Sequence, residues 1–89
     1  MNEPLDVPQV AALLAENAPQ EDCVALMKQV GALVHGHPHA VATLALCGEL
    51  GVVLASAPPT MRASLAVLIG QIIGRACNDT LALRTRVLQ

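Results

Sequence analysis

The chain has 89 residues, of which 54% are hydrophobic and 13% charged, with no Phe, Trp or Tyr and a formal net charge of −2. Its mass of 9.2 kDa holds one domain, residues 1–89, and a mean hydropathy of +0.54 is opposite to that of a disordered segment. Without aromatic side chains there is no base-stacking platform, no cage for a quaternary ammonium and no aromatic belt for a bilayer.

The first helix is signalled twice. Asp6 is placed to cap it with Gln9 as the capping-box partner, and Leu5 with Val10 stands at the positions of a hydrophobic staple. Val10, Leu13 and Leu14 then form a short apolar stripe, so a helix is predicted from about Val7 to about Glu16. Asn17-Ala-Pro-Gln breaks it. Pro19 suits the first turn of a second helix, where a missing N–H costs little, and Glu21 and Asp22 suit the positive end of its dipole. Cys23, Leu26, Met27, Val30, Leu33 and Val34 step by three and four, leaving Lys28, Gln29 and Gly31 opposite, as in an amphipathic surface helix. Gly36 ends it and Pro38 reopens the chain.

From Pro38 to Met61 the only charged residue is Glu49, and Ala40 to Ala57 form an apolar run. A helix apolar on every side lies in a protein interior or in a membrane. The interior is favoured because alanine supplies much of the apolarity, the flanks lack Lys, Arg and aromatic anchors, and a mid-span Glu is costly in hydrocarbon. After Pro58-Pro59 and Thr60 a fourth helix is predicted, with Met61, Leu65, Leu68, Ile69, Ile72, Ile73, Ala76 and Cys77 as its apolar surface. It runs on through Leu81, Leu83, Val87 and Leu88, unless Asn78-Asp79-Thr80 breaks it and caps a fifth. The expected fold is therefore all-α: a compact bundle of four helices, or five, with antiparallel neighbours because the connections are short, and with helices three and four at the buried centre.

Charge is divided along the chain. Glu3, Asp6, Glu16, Glu21 and Asp22 make the first 22 residues acidic, whereas Arg62, Arg75, Arg84 and Arg86 outweigh Asp79 in the last 28. Four spread arginines and one lysine are too few to neutralise a run of phosphates, so direct nucleic-acid binding is not expected. A helix-turn-helix reading of helices two and three fails too, because the would-be recognition helix has no Arg, Lys, Asn or Gln between Pro38 and Met61 to read bases. The two ends are expected to attract each other, within one subunit or between two. Met-Asn-Glu-Pro-Leu-Asp has neither the basic nor the apolar region of a secretory signal, so a cytoplasmic location is expected. Cys23, Cys47 and Cys77 are odd in number and lie in apolar helical patterns, which predicts reduced, buried thiols used as small hydrophobes.

Three constellations bear on function. The first is a pair of small-residue seams: Thr43, Cys47, Gly51 and Ala55 on helix three, and Ala66, Gly70 and Gly74 on helix four. A glycine inside a helix costs about 1 kcal/mol relative to alanine, so glycines on matching ridges point to close helix–helix packing. The second is His35-Gly-His-Pro-His39, three imidazoles between helices two and three. A zinc site would need them on one side with a fourth ligand, and Glu49 is the nearest carboxylate, too remote for a tight motif. The preferred reading has His35 capping the carbonyls of helix two, His37 opening helix three and His39 in solvent. The third is Glu49 itself, for which Arg62 or Arg75 is the expected partner.

No phosphate loop, dinucleotide fingerprint, paired-carboxylate motif or nucleophile signature occurs, so neither an enzyme nor a bound cofactor is expected. Helices three and four are apolar nearly all round, and two short amphipathic helices cannot cover both. The expected function is thus a small non-enzymatic regulatory or adaptor protein, a homodimer through the two seams, offering Leu26, Met27, Val30, Leu33 and Val34 to an unidentified protein partner. The alternatives are a metal-binding helical domain centred on His35, His37 and His39, and a membrane-associated helical hairpin.

Overall fold

The computed structural model describes residues 3–88, in which four α-helices are joined by short turns and no strand occurs. The first, α1, spans Val7–Asn17. The Asp6 side chain accepts the Gln9 backbone N–H at 2.8 Å, and the Gln9 side chain accepts the Asp6 N–H at 2.9 Å, closing the capping box. At the other end the Asn17 amide donates to the Leu13 carbonyl at 2.7 Å. Asp6→Ala removes one of these reciprocal bonds and is expected to cost about 1 kcal/mol in a urea titration.

Pro19 occupies the N-cap of α2 (Gln20–Val34), and its carbonyl receives the Cys23 N–H at 3.1 Å. The helix ends as its sequence requires. Gly36 has φ +85°, the left-handed region that costs an L side chain energy, and the His35 and His37 N–H groups close the turn on Gly31 and Val34. Pro38 then caps α3 (His39–Ser56), which stops at Ala57 before the two prolines. Pro59 opens α4, which continues unbroken to Leu88. The fifth helix does not form: Asn78, Asp79 and Thr80 lie within α4, and the Thr80 hydroxyl donates back to the Ala76 carbonyl at 2.8 Å instead of capping a new turn. Thr85 does the same to Leu81 at 3.0 Å, so both hydroxyls are satisfied inside the helix rather than as caps.

Packing is concentrated where α1 crosses the first turns of α4. Val10 is wholly buried, and Leu65 and Leu68 of α4 close over it. Leu5, Val7, Ala11 and Leu14 from the α1 side, with Leu54, Ala57, Met61 and Ile69, complete the cluster. Leu5 and Val10 thus form the expected staple. A backbone clasp fixes its register: the Leu5 N–H donates to the Thr60 carbonyl at 2.9 Å, and the Ser64 hydroxyl donates to the Leu5 carbonyl. The second packed region joins α3 to α4 at their shared corner. Here Arg62 donates through Nε to Ala57 and through Nη2 to Ala55, both at 3.0 Å, neutralising open carbonyls where α3 presents its negative dipole end.

No residue of α2 or α3 is buried. The buried centre expected of helices three and four is therefore absent from the single chain; its core joins α1 to the N-terminal half of α4. The physical reason is geometric: Pro58-Pro59 lets α3 meet α4 only near its C-terminal end, at Leu54 and Ala57. The rest of α4 extends free, and the molecule measures 53 × 27 × 22 Å.

Candidate functional site

Apolar surface left uncovered is the main feature of the molecule. The accessible surface is 7375 Å², whereas a compact monomer of this mass exposes about 4,900 Å². The radius of gyration, 15.2 Å, likewise exceeds the value of about 12 Å for a compact chain of this length. What is exposed is not polar. Leu26, Met27 and Leu33 of α2 are 60%, 70% and 75% exposed, and Leu44 of α3 is 74% exposed. Val52 and Val53 on α3, and Ile72, Ile73, Leu81, Leu83 and Val87 on α4, are also more than half exposed.

The expected partner-binding residues share a face of α2. Cys23, Leu26, Met27, Val30 and Gly31 line a shallow apolar depression, with Val30 and Val34 half-buried. A second, smaller depression lies at the α3–α4 corner, bordered by Gly51, Leu54, Ala55 and Arg62. Arg62 is committed there to backbone carbonyls, which corrects its expected pairing with Glu49. Glu49 is exposed on α3 and has no need of a buried counter-ion.

The seams do not meet inside one chain. A Cβ built on Gly51, Gly70 or Gly74 would touch nothing within 4 Å, and Thr43, Cys47, Ala55 and Ala66 are exposed. Close packing against α3 or α4 of the same chain is therefore not what these glycines serve. The three cysteines correct a second expectation, since Cys23, Cys47 and Cys77 are all free and exposed. Their positions follow the apolar periodicity as predicted, but nothing in the same chain covers those faces.

His35, His37 and His39 are exposed along the α2–α3 turn. It is the backbone of His35, not its imidazole, that bonds the α2 carbonyl at Gly31, and His39 Nδ1 lies 3.4 Å from the Thr43 hydroxyl. Among the described residues no three His, Cys, Asp or Glu side chains are grouped to hold a metal ion. Replacing the three histidines together by Asn is expected to leave metal content and oligomeric mass unchanged, as read by elemental analysis and light scattering on untagged protein. A stoichiometric metal lost with them would establish the metal-binding alternative.

The chain matches no family model, and no curated protein and no solved structure is significantly similar to it. The site is thus defined by its own geometry: three helices whose apolar faces are turned to the outside.

Proposed function

We propose that this protein is a small non-enzymatic regulatory or adaptor protein that acts through helical surfaces and works as a homodimer. The observation that supports this is the surface excess, about 2,400 Å² beyond that of a compact monomer, together with its apolar character. Exposed apolar patches of more than a few hundred Å² mark interaction sites. Covering even half of the excess in a pair of chains would bury about 2,400 Å², within the range of obligate dimers. In that assembly α3 and α4 form the buried centre of a helical bundle with antiparallel neighbours. Thr43, Cys47, Gly51 and Ala55, with Ala66, Gly70 and Gly74, lie at the interface, and the Cys47 thiol becomes covered. The α2 face of Leu26, Met27, Val30, Leu33 and Val34 is left for a protein partner, whose helix would supply the aromatic anchors this chain lacks.

Light scattering at micromolar concentration tests the reading. The expected mass is twice the 9.2 kDa of one chain, and the mass of a single chain overturns it. Because apolar burial is not screened, the dissociation constant is expected to change by less than about tenfold between roughly 0.05 and 0.5 M salt.

One observation favours a second reading. His39–Ser56 is, by length and composition, apolar enough to cross a membrane, with a mean hydropathy of 1.6 and none of it buried in the chain. Glu49 at mid-span and the absence of aromatic anchors weigh against that reading. Co-flotation with phosphatidylcholine vesicles, and failure to remain soluble without detergent, would establish it in place of the dimer.

A further inference from the structure

The apolar stripe that α1 covers does not end where α1 ends. At 3.6 residues per turn, Ile72, Ala76, Leu83 and Val87 all lie within about 40° of Leu65 around α4, so they continue the side on which Leu65 and Leu68 close over Val10. This half is open: Ile72 is 53%, Leu83 60% and Val87 77% exposed, and Ala76 is exposed with them. Arginines border it on both edges, Arg75 and Arg86 on one and Arg84 on the other, each roughly 60–100° from Leu65. Asp79 is the only carboxylate among residues 72–88. We infer that this free half of α4 is the docking site for one amphipathic helix of a protein partner, about four turns long, apolar along one side and acidic along its margins. The site lies roughly 140–180° around α4 from Gly70 and Gly74, so the inference goes beyond the homodimer reading and holds for one chain or for two.

Shape selects a helix. α1 advances along α4 from Leu5, beside Thr60 and Ser64, to Val10, beside Leu65 and Leu68, and stops at Asn17. Packed helices stand about 8–10 Å apart, so the end of α1 makes a step of that height above the open stripe. A flat bilayer meets α1 first, whereas a helix of the same calibre fills the step over the roughly 22 Å from Ile72 to Val87. Charge selects the margins. In full overlap with an antiparallel second copy, Ile72 opposite Val87, the Arg75 and Arg86 edges coincide, and parallel order sets Arg86 beside Arg84, so like charges oppose a pair of these stripes. A helix with carboxylates beside its apolar side meets three arginines against one aspartate. The covered half already has this pattern: the segment docked there brings Val7, Val10, Ala11 and Leu14 together with Glu3, Asp6 and Glu16, and it contains no Lys or Arg.

Peptide titration on the full chain, read by fluorescence anisotropy, tests the site. The probe is a labelled, N-acetylated peptide of about four turns with leucine at steps of three and four, glutamate at the positions bordering the leucines and alanine elsewhere; its twin carries lysine in place of glutamate. The glutamate peptide is expected to bind once per chain and the lysine twin at least about tenfold more weakly. Leu83→Asp, outside the α1–α4 core, is expected to weaken the glutamate peptide by at least about tenfold with helicity intact by circular dichroism. Arg75→Glu with Arg86→Glu is expected to reverse the preference between the two peptides. Equal affinity for both, no binding of either at roughly 100-fold excess over the chain, or a loss at Met27→Asp with none at Leu83→Asp overturns the inference. Binding to phosphatidylserine vesicles that Leu83→Asp abolishes also overturns it, in favour of a membrane. A single-chain mass by light scattering with the expected peptide binding leaves this site standing and removes only the homodimer.

Discussion

Gly70→Leu is expected to separate the dimer into monomers without unfolding the helix that carries it. Inside one chain the change is harmless, because a side chain at this position meets open space and leucine prefers the helix over glycine by up to about 1 kcal/mol. Between chains it adds a bulky side chain to the small-residue seam and forces the two backbones apart. Overpacking typically costs about 1–3 kcal/mol per site, and a two-fold interface contains the site twice, so the dissociation constant is expected to rise from roughly 30-fold to more than 10,000-fold. Gly74→Leu, one turn further, acts in the same direction. Sedimentation equilibrium over a concentration series, with circular dichroism to show undiminished helicity, is the measurement. A variant that remains dimeric at unchanged affinity would remove α4 from the interface.

The second large effect is at Val10, the side chain most completely enclosed. Val10→Asp places a carboxylate among Leu65, Leu68 and their apolar neighbours, with no cation in that cluster. An uncompensated buried charge costs on the order of 3–5 kcal/mol, a large share of the total stability of a domain this size. Release of α1 from α4 is expected, seen as early proteolytic cutting near Asn17 and as a marked fall in melting temperature. Val10→Ala removes only methyl groups and is expected to keep α1 docked at a smaller cost. If the two variants melt alike, the α1–α4 contact is not what limits stability.

Much of this architecture is legible in the residues. Asp6 with Gln9 marks the start of α1, Gly36 and Pro38 mark the α2–α3 turn, and Pro58-Pro59 separates α3 from α4, because capping, left-handed backbone and a missing N–H are local matters. Periodicity also groups Val10, Leu14, Leu65 and Leu68, which do pack together, but it sets Gly31 opposite the α2 face whose depression that glycine borders. Nor does it say which chain covers an apolar face. Cys47 and Leu44 follow an interior pattern and are exposed here, since a run of Ala, Val and Leu reports that burial is needed without reporting whose surface supplies it. Arg62 was unreadable for another reason. Its partners are carbonyls of Ala55 and Ala57, backbone groups that every residue has and that only a folded corner aims at one side chain. Within the continuous α4 the Thr80 hydroxyl turns back to the Ala76 carbonyl rather than capping a new turn, a choice between two local bonds that residue type leaves open.

The clasp of Leu5 on Thr60 and Ser64 ties the beginning of the chain to a point far along it, so that α2 and α3 hang within a closed loop. Closing such a loop is an entropic cost that grows only with the logarithm of its length, about 0.6 kcal/mol for each doubling. The α2–α3 turn at His35–His39 is exposed and carries no packing. It is thus a natural port of entry: a second folded module with adjacent termini, inserted after Gly36, lengthens the tether without moving either end of the clasp, and the α1–α4 core forms as before.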